Sequence, residues 1–194
     1  MSGANVLVVF YSRTGVTETL ALAAGVGAVQ ARASIRLRRI RDSADEKTIA
    51  AHKAWLDNRD RMNKEYVAPT EADVAWADAI LLAAPHGFNA SSPELSGFLK
   101  SLKSSASDGN IAKKVAGAFV STSLGAEDDP ARSSILSALA GAGLTVVPSE
   151  ESNADATADA QPTEKPVASH SIEVVLAQNY GRTLTSKAEA LRAS

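Results

Sequence analysis

The chain reads as an α/β protein with a parallel sheet and helices on both faces, and three observations carry that reading. Short apolar runs recur between helical patterns, as they do in strand–helix–strand units. The first run, Val6 to Tyr11, is apolar almost throughout, which is what a strand buried on both faces requires. The 194 residues, 45% of them hydrophobic, are enough for one domain with a full core and too few for two comfortable ones.

Five strands follow in order. Strand one covers about Val6 to Tyr11. Strand two, Ser34 to Ile40, alternates imperfectly between apolar residues and arginines, the pattern of an edge strand protected by charge. Strand three is Ala79 to Ala84, strand four Val115 to Ser121 and strand five Leu144 to Val147. Helices fit between them at Thr17 to Gln30, Ser92 to Leu102 and Pro130 to Ala142, and a last helix runs from about Ser169 to Ala193. Two stretches exceed this plan within the single domain 1–194. In 42–67, Ile49, Trp55 or Leu56, Met62 and Tyr66 recur near helical spacing, which predicts a helix laying a narrow stripe on the body or on a partner subunit. Residues 148–166 carry Glu150, Glu151, Asp155, Asp159 and Glu164 with almost no large apolar residue, which predicts a long acidic loop.

Composition closes several routes. The net charge of −2 gives no global attraction to nucleic acid or to an anionic membrane. There are no cysteines, so disulfides, thiolate nucleophiles and Cys-ligated metals are excluded. His52, His86 and His170 lack metal-ligand spacing, and no metal site is predicted. No apolar stretch approaches the ~20 residues of a membrane span, and no signal-like segment precedes strand one. The expectation is a soluble, cytoplasmic protein.

Chemistry concentrates after strands one, three and four, where open parallel sheets bind ligands. Strand one runs into Ser12-Arg13-Thr14-Gly15-Val16-Thr17 and then directly into a helix. Such a turn aims backbone N–H groups and a helix dipole at one spot; hydroxyls add donors and Gly15 permits a positive φ. This is the composition of a phosphate cradle, the alternative being an ordinary helix start capped by Ser or Thr. It has neither the lysine of an ATP- or GTP-binding loop nor the G-x-G-x-x-G of a dinucleotide fold. After strand three, Pro85-His86-Gly87-Phe88-Asn89 offers a rigid turn and an aromatic face for a planar heterocycle, unless Phe88 is tucked into the core. After strand four, Ser121-Thr122-Ser123-Leu124-Gly125 brings hydroxyls and a glycine that suit the other side of the same ligand. Arginines 32, 36, 38, 39 and 41 cluster around strand two, either as its outward face or as a site for the 2′-phosphate of NADP.

The first loop, Ser12 to Thr19, resembles the first FMN loop of the flavodoxin-like superfamily. The three loops in order, the small-residue turn at 139–148 and the terminal helix at 173–188 resemble the NAD(P)H:quinone oxidoreductases of the tryptophan-repressor-binding-protein type over most of the chain. The third loop departs from that family's glycine-rich pattern at Leu124 and at Glu127-Asp128-Asp129. The resemblance implies a three-layer sandwich with strand order 2-1-3-4-5. It implies FMN as cofactor, NADH or NADPH as co-substrate and a quinone as acceptor, with two electrons moved by a ping-pong mechanism in a homodimer or homotetramer. Carried over residue by residue, Ser12, Arg13, Thr14, Gly15, Val16 and Thr17 would hold the phosphate. Pro85, His86, Gly87, Phe88 and Asn89 would hold the ring, and Ser121, Thr122, Ser123 and Gly125 would flank the ribityl chain and ring. His86 is the nearby candidate for delivering a proton to a quinol oxygen. Two rival accounts stay open on the same fold: a flavin-free interaction or scaffold protein, and a one-electron flavodoxin-type carrier.

Overall fold

The computed structural model describes residues 3–105, 111–121, 129–148 and 169–193. Chain order is β1 (Asn5–Phe10), α1 (Val16–Gln30), β2 (Ser34–Arg39), α2 (Glu46–Ala50), α3 (Lys53–Glu65), α4 (Glu71–Trp76), β3 (Ala79–Ala84), α5 (Pro93–Ser105), β4 (Val115–Val120), α6 (Pro130–Gly141), β5 (Thr145–Val146) and α7 (Ser169–Ala193). All five strands join one parallel sheet in the order β2-β1-β3-β4-β5, as the resemblance implies.

Side chains along a strand alternate between faces, and β1 divides the core in this way. Val6, Val8 and Phe10 face a layer built with Leu20 of α1 and with Tyr180 and Leu184 of α7. Leu7, Val9 and Tyr11 face the opposite layer, with Leu95 and Leu99 of α5 and Ile135 and Leu139 of α6. Every residue of β3 and β4 is buried, which explains why these strands read as unbroken apolar runs. Small residues let the layers approach closely. A Cβ on Gly27 would stand 1.9 Å from the Gln178 carbonyl oxygen, and one on Gly181 would stand 2.0 Å from that of Ala24. Tyr180 then ties α7 to the sheet: its hydroxyl donates to Val147 O at 2.5 Å and accepts from Ala118 N at 3.2 Å.

Three expectations are corrected. The 42–67 stretch forms two helices, α2 and α3, where one was expected. Ile49, Trp55 and Met62 are buried on the chain's own body, and Tyr66 meets Phe10 edge-on at 5.0 Å. Helix α4 was not anticipated; its signal is the Thr70/Asp73 capping box, in which each residue's side chain accepts from the other's backbone N–H. Strand five is reduced to Thr145–Val146. The predicted acidic loop, apart from Pro148, lies outside the described residues.

Arg36 and Arg38 of the edge strand β2 both reach Asp73, Arg38 through two bonds of 2.8 and 2.9 Å, and the Arg36 guanidinium stacks 4.2 Å from the Trp76 ring. Arg41 bonds to Asn63 and to Tyr66 O. Arg36, Arg38 and Arg41 serve internal ties, so a 2′-phosphate would find their guanidinium groups already engaged, and Arg39 departs from the outward face expected of the cluster because it is wholly buried. Among the described residues, no helix is long and apolar enough to cross a membrane, and no group of His, Asp and Glu is placed to hold a metal.

Candidate functional site

The carboxyl ends of β1, β3 and β4 bring the first and second predicted loops together with Ser121, the described start of the third. Ser12 is buried, and its Oγ accepts the Gly15 N–H at 3.0 Å, closing the turn below the helix. Gly15 takes a left-handed φ of 92° and is itself the N-cap of α1, with no side-chain cap bond. The ordinary Ser- or Thr-capped start is therefore not what forms. By contrast, α2, α4 and α6 are capped by the side chains of Asp45, Thr70 and Asp129. Among the described residues, no side chain caps the first N–H groups of α1. Thr17 lies buried in this first turn, and its Oγ1 donates to Ser121 Oγ at 3.2 Å, joining the first loop to the end of β4.

Charge is arranged beneath and beside the turn. Arg39 is wholly buried, donates to Asp42 at 2.7 Å and to Asn63 at 2.8 Å, and reaches Ser12 O at 3.4 Å. Its Nε has no hydrogen-bond partner among the described residues. Beside Gly15, a Cβ would stand 3.6 to 3.9 Å from Asn58 Oδ1, Glu18 Oε2 and an Arg61 nitrogen. Arg61 of α3 grips Glu18 with bonds of 2.5 and 2.9 Å. Burial pushes the Glu18 carboxyl up, but hydrogen bonds from Arg61 and Tyr66 and the charges of Arg61 and Arg39 outweigh it and hold the group below its ordinary range. The Tyr66 hydroxyl, buried beside that carboxylate, is pushed up to about 12.

The second loop turns at Pro85–Phe88, where Phe88 N donates to Pro85 O at 3.1 Å and Gly87 takes φ 82°, the conformation a type II turn demands of its third residue. Phe88 is half-buried against the core and stands 5.1 Å from the Tyr11 ring. It thus serves packing and still presents a face to the first loop. His86 is exposed at the tip of the turn. Asn89 is occupied in starting α5: its Oδ1 accepts from Ser91 N at 2.9 Å and its own N–H donates to Ser92 Oγ at 3.0 Å. Thr122, Ser123 and Gly125 lie outside the described residues. Of the three carboxylates at 127–129, Asp129 is spent capping α6, accepting from the N–H groups of Ala131 and Arg132.

Sequence reasoning missed several residues at this edge. Trp55, taken as part of a packing stripe, donates Nε1–H to Asp42 at 2.7 Å, and Tyr11 donates to the same oxygen at 3.1 Å. Burial pushes the Asp42 carboxyl up, but hydrogen bonds from Arg39, Trp55 and Tyr11 bring it below the usual range. Burial, more than neighbouring charge, pushes the Tyr11 phenol well up. The Arg13 side chain turns away from the phosphate turn: Nε donates to Tyr11 Oη at 2.9 Å, and a terminal nitrogen lies 3.8 Å from Glu94. Both Trp55 and Arg61 lie in the insertion that follows β2, but nothing in its pattern signals that α3 returns to this edge of the sheet.

Comparison with known proteins gives a consistent result. A family model described as NADPH-dependent FMN reductase matches residues 5–159. An NAD(P)H dehydrogenase (quinone) of Deinococcus radiodurans is 32% identical over 114 residues, covering 59% of this chain and 56% of that protein. One of Azorhizobium caulinodans is 33% identical over 120 residues, covering 61% and 57%. The matches thus span just over half the length of these curated relatives. In structure, the chain is similar to a WrbA-like flavodoxin from Agrobacterium tumefaciens (TM-score 0.55, 22% identity, 96% and 98% covered). It is also similar to a diflavin flavoprotein A3 from Nostoc sp. (TM-score 0.55, 16% identity, 100% and 98% covered). At these identities the likeness concerns the fold, which is flavodoxin-like.

Proposed function

The chain belongs to the NADPH-dependent FMN reductase family, and on that premise we propose that it is an FMN-dependent oxidoreductase passing two electrons from NAD(P)H to a quinone. The names of the curated relatives, NAD(P)H dehydrogenase (quinone), support the donor and acceptor. The observation that carries the reading is the α1 turn. Its capping residue is a left-handed glycine without a side-chain cap, and it stands over a buried arginine whose Nε has no partner among the described residues. Uncapped N–H groups, the hydroxyls of Ser12 and Thr14, and the Arg39 guanidinium below them, which Asp42 also pairs, form a donor set that fits the monophosphate of FMN.

When bound, FMN supplies the hydride and electron chemistry. The residues supply position and field. Ser12 and the Thr14–Thr17 turn would anchor the phosphate end, the Arg13 side chain being turned away, and Thr17 and Ser121, hydrogen-bonded to each other, would fix where the ribityl side begins. The Pro85–Phe88 turn holds a rigid edge for the ring, with Gly87 exposed so that backbone can approach it. His86, exposed beside that edge, is placed to hand a proton to a quinol oxygen. One open face serving donor and acceptor in turn makes the kinetics ping-pong. The setting is cytoplasmic and the working form a homodimer or homotetramer.

The visible spectrum of the purified protein, as isolated and after FMN titration, tests this. Flavin bands retained through desalting are expected, followed by parallel double-reciprocal lines in an NAD(P)H–quinone assay. A colourless protein that leaves added FMN fluorescence unquenched overturns the reading. The rings of Tyr11, Trp55 and Phe88 gathered around Arg13 favour a second reading, the one-electron carrier. That account requires reduction in two resolved one-electron stages and negligible quinone turnover.

A further inference from the structure

The guanidinium of Arg13 occupies a slot walled by rings from three separate parts of the chain. Its central carbon lies 4.1 Å from the Trp55 ring centroid, 4.9 Å from that of Phe88 and 5.8 Å from that of Tyr11. The walls stand without it. Trp55 and Tyr11 are both fixed by Asp42, which is held by the buried Arg39. Phe88 is fixed by its turn and by packing on the core and on Tyr11. The occupant is held more loosely. The Arg13 side chain remains 38% exposed, its one hydrogen bond within the slot goes to Tyr11, and its approach to Glu94 is a distant 3.8 Å.

A guanidinium between aromatic rings is a flat, electron-poor group held by their π faces. Oxidised flavin is also flat and electron-poor, and it stacks on the same surfaces. Resting on the FMN reading above, we propose that the space between Trp55 of the inserted helix α3 and Phe88 is the berth of the flavin ring. Arg13, whose guanidinium stands between these rings, is its displaceable occupant. The slot adjoins the phosphate turn through the chain itself, since Arg13 lies two residues before Gly15. Being part-exposed, the guanidinium re-enters water on leaving, so its displacement lowers apparent affinity only modestly.

The test measures binding of FMN and of riboflavin, which lacks the phosphate, by flavin emission and visible absorbance. Wild type is compared with R13A, W55L and W76F, with melting curves to verify folding. Trp76, the other tryptophan of the chain, stacks on Arg36 at the β2 edge and serves as control. The expected result is that R13A tightens both flavins equally, by about three- to tenfold. W55L weakens both by about tenfold and W76F changes neither. R13A binding that is unchanged, weaker, or altered for FMN alone overturns the proposal while the FMN reading stands. Wild type that binds neither flavin overturns both. Because Arg13 lies on the surface of its loop, the R13A result decides even if W55L does not fold.

Discussion

Asp73 lies almost wholly buried where the edge strand meets α4, accepting from Arg36, from Arg38 twice and from Thr70. Burial raises its carboxyl, but the bonds from Arg38 and Thr70 and the charge of Arg38 prevail and set it at about 2. A carboxylate depressed in the folded state contributes stability that is present above its unfolded value and is lost as pH falls through the folded one. The window here runs from about pH 4 down to about pH 2, and the contribution at neutral pH is about 2 kcal/mol. In thermal melts, D73N should lose about that much at pH 7, and its deficit against wild type should shrink below pH 3. Arg61 gives a second prediction at this scale. Glu18 is a negative charge in the first turn of α1, where a phosphate dianion is to sit, and Arg61 neutralises it beside Gly15. Arg61→Ala bares that carboxylate. It should weaken FMN by about tenfold, on the order of one charge-assisted bond, and leave riboflavin unchanged in the same titration.

Elements show what a sequence can declare by itself. Strands β1, β3 and β4 were legible because burial on both faces removes polar residues from β3 and β4 and from all of β1 but its first residue, Asn5, and the tight turn into α1 was legible because Ser12, Gly15 and Thr17 crowd it. The split of the insertion into α2 and α3 was hidden, because the residues at the break, Ala51 and His52, carry no Gly or Pro punctuation. That Trp55 and Arg61 flank the site was equally hidden: it depends on α3 folding back across the sheet edge, a matter of packing rather than periodicity. Glycines make the same point in a testable form. Gly27 and Gly181 mark where α1 and α7 touch backbone to backbone, while Gly97 in α5 has nothing within 4 Å of an added Cβ. G27A or G181A must push the helices apart and should cost at least about 2 kcal/mol. G97A, exposed and helical, should gain about 0.5–1 kcal/mol. Urea unfolding of the three variants separates these signs.

At the scale of the whole molecule, the outward stripe of α1 is the anomaly. Its exposed residues are Thr19, Leu22, Val26, Val29 and Gln30, so three large apolar side chains stand at i, i+4 and i+7 on a face where a solvated helix carries charge. Ile172 and Val175 on α7 are exposed as well, so five of the six exposed large apolar side chains among the described residues belong to two helices packed on one another. Apolar exposure gathered on one layer marks a contact surface, whereas scattered single residues do not. The opposite layer, with α5 and α6, shows no such side chains among the described residues. For the proposed homodimer or homotetramer, contact through the α1–α7 layer is therefore the expectation, which leaves the carboxyl edge of the sheet open to ligands. Sedimentation velocity should show a dimer for wild type and a monomer for the L22S/V26S pair. The melting temperature of that pair extrapolated to low concentration should match wild type, because neither side chain enters the core of one chain. A wild type that sediments as a monomer, or a double variant that still pairs, removes this face from consideration.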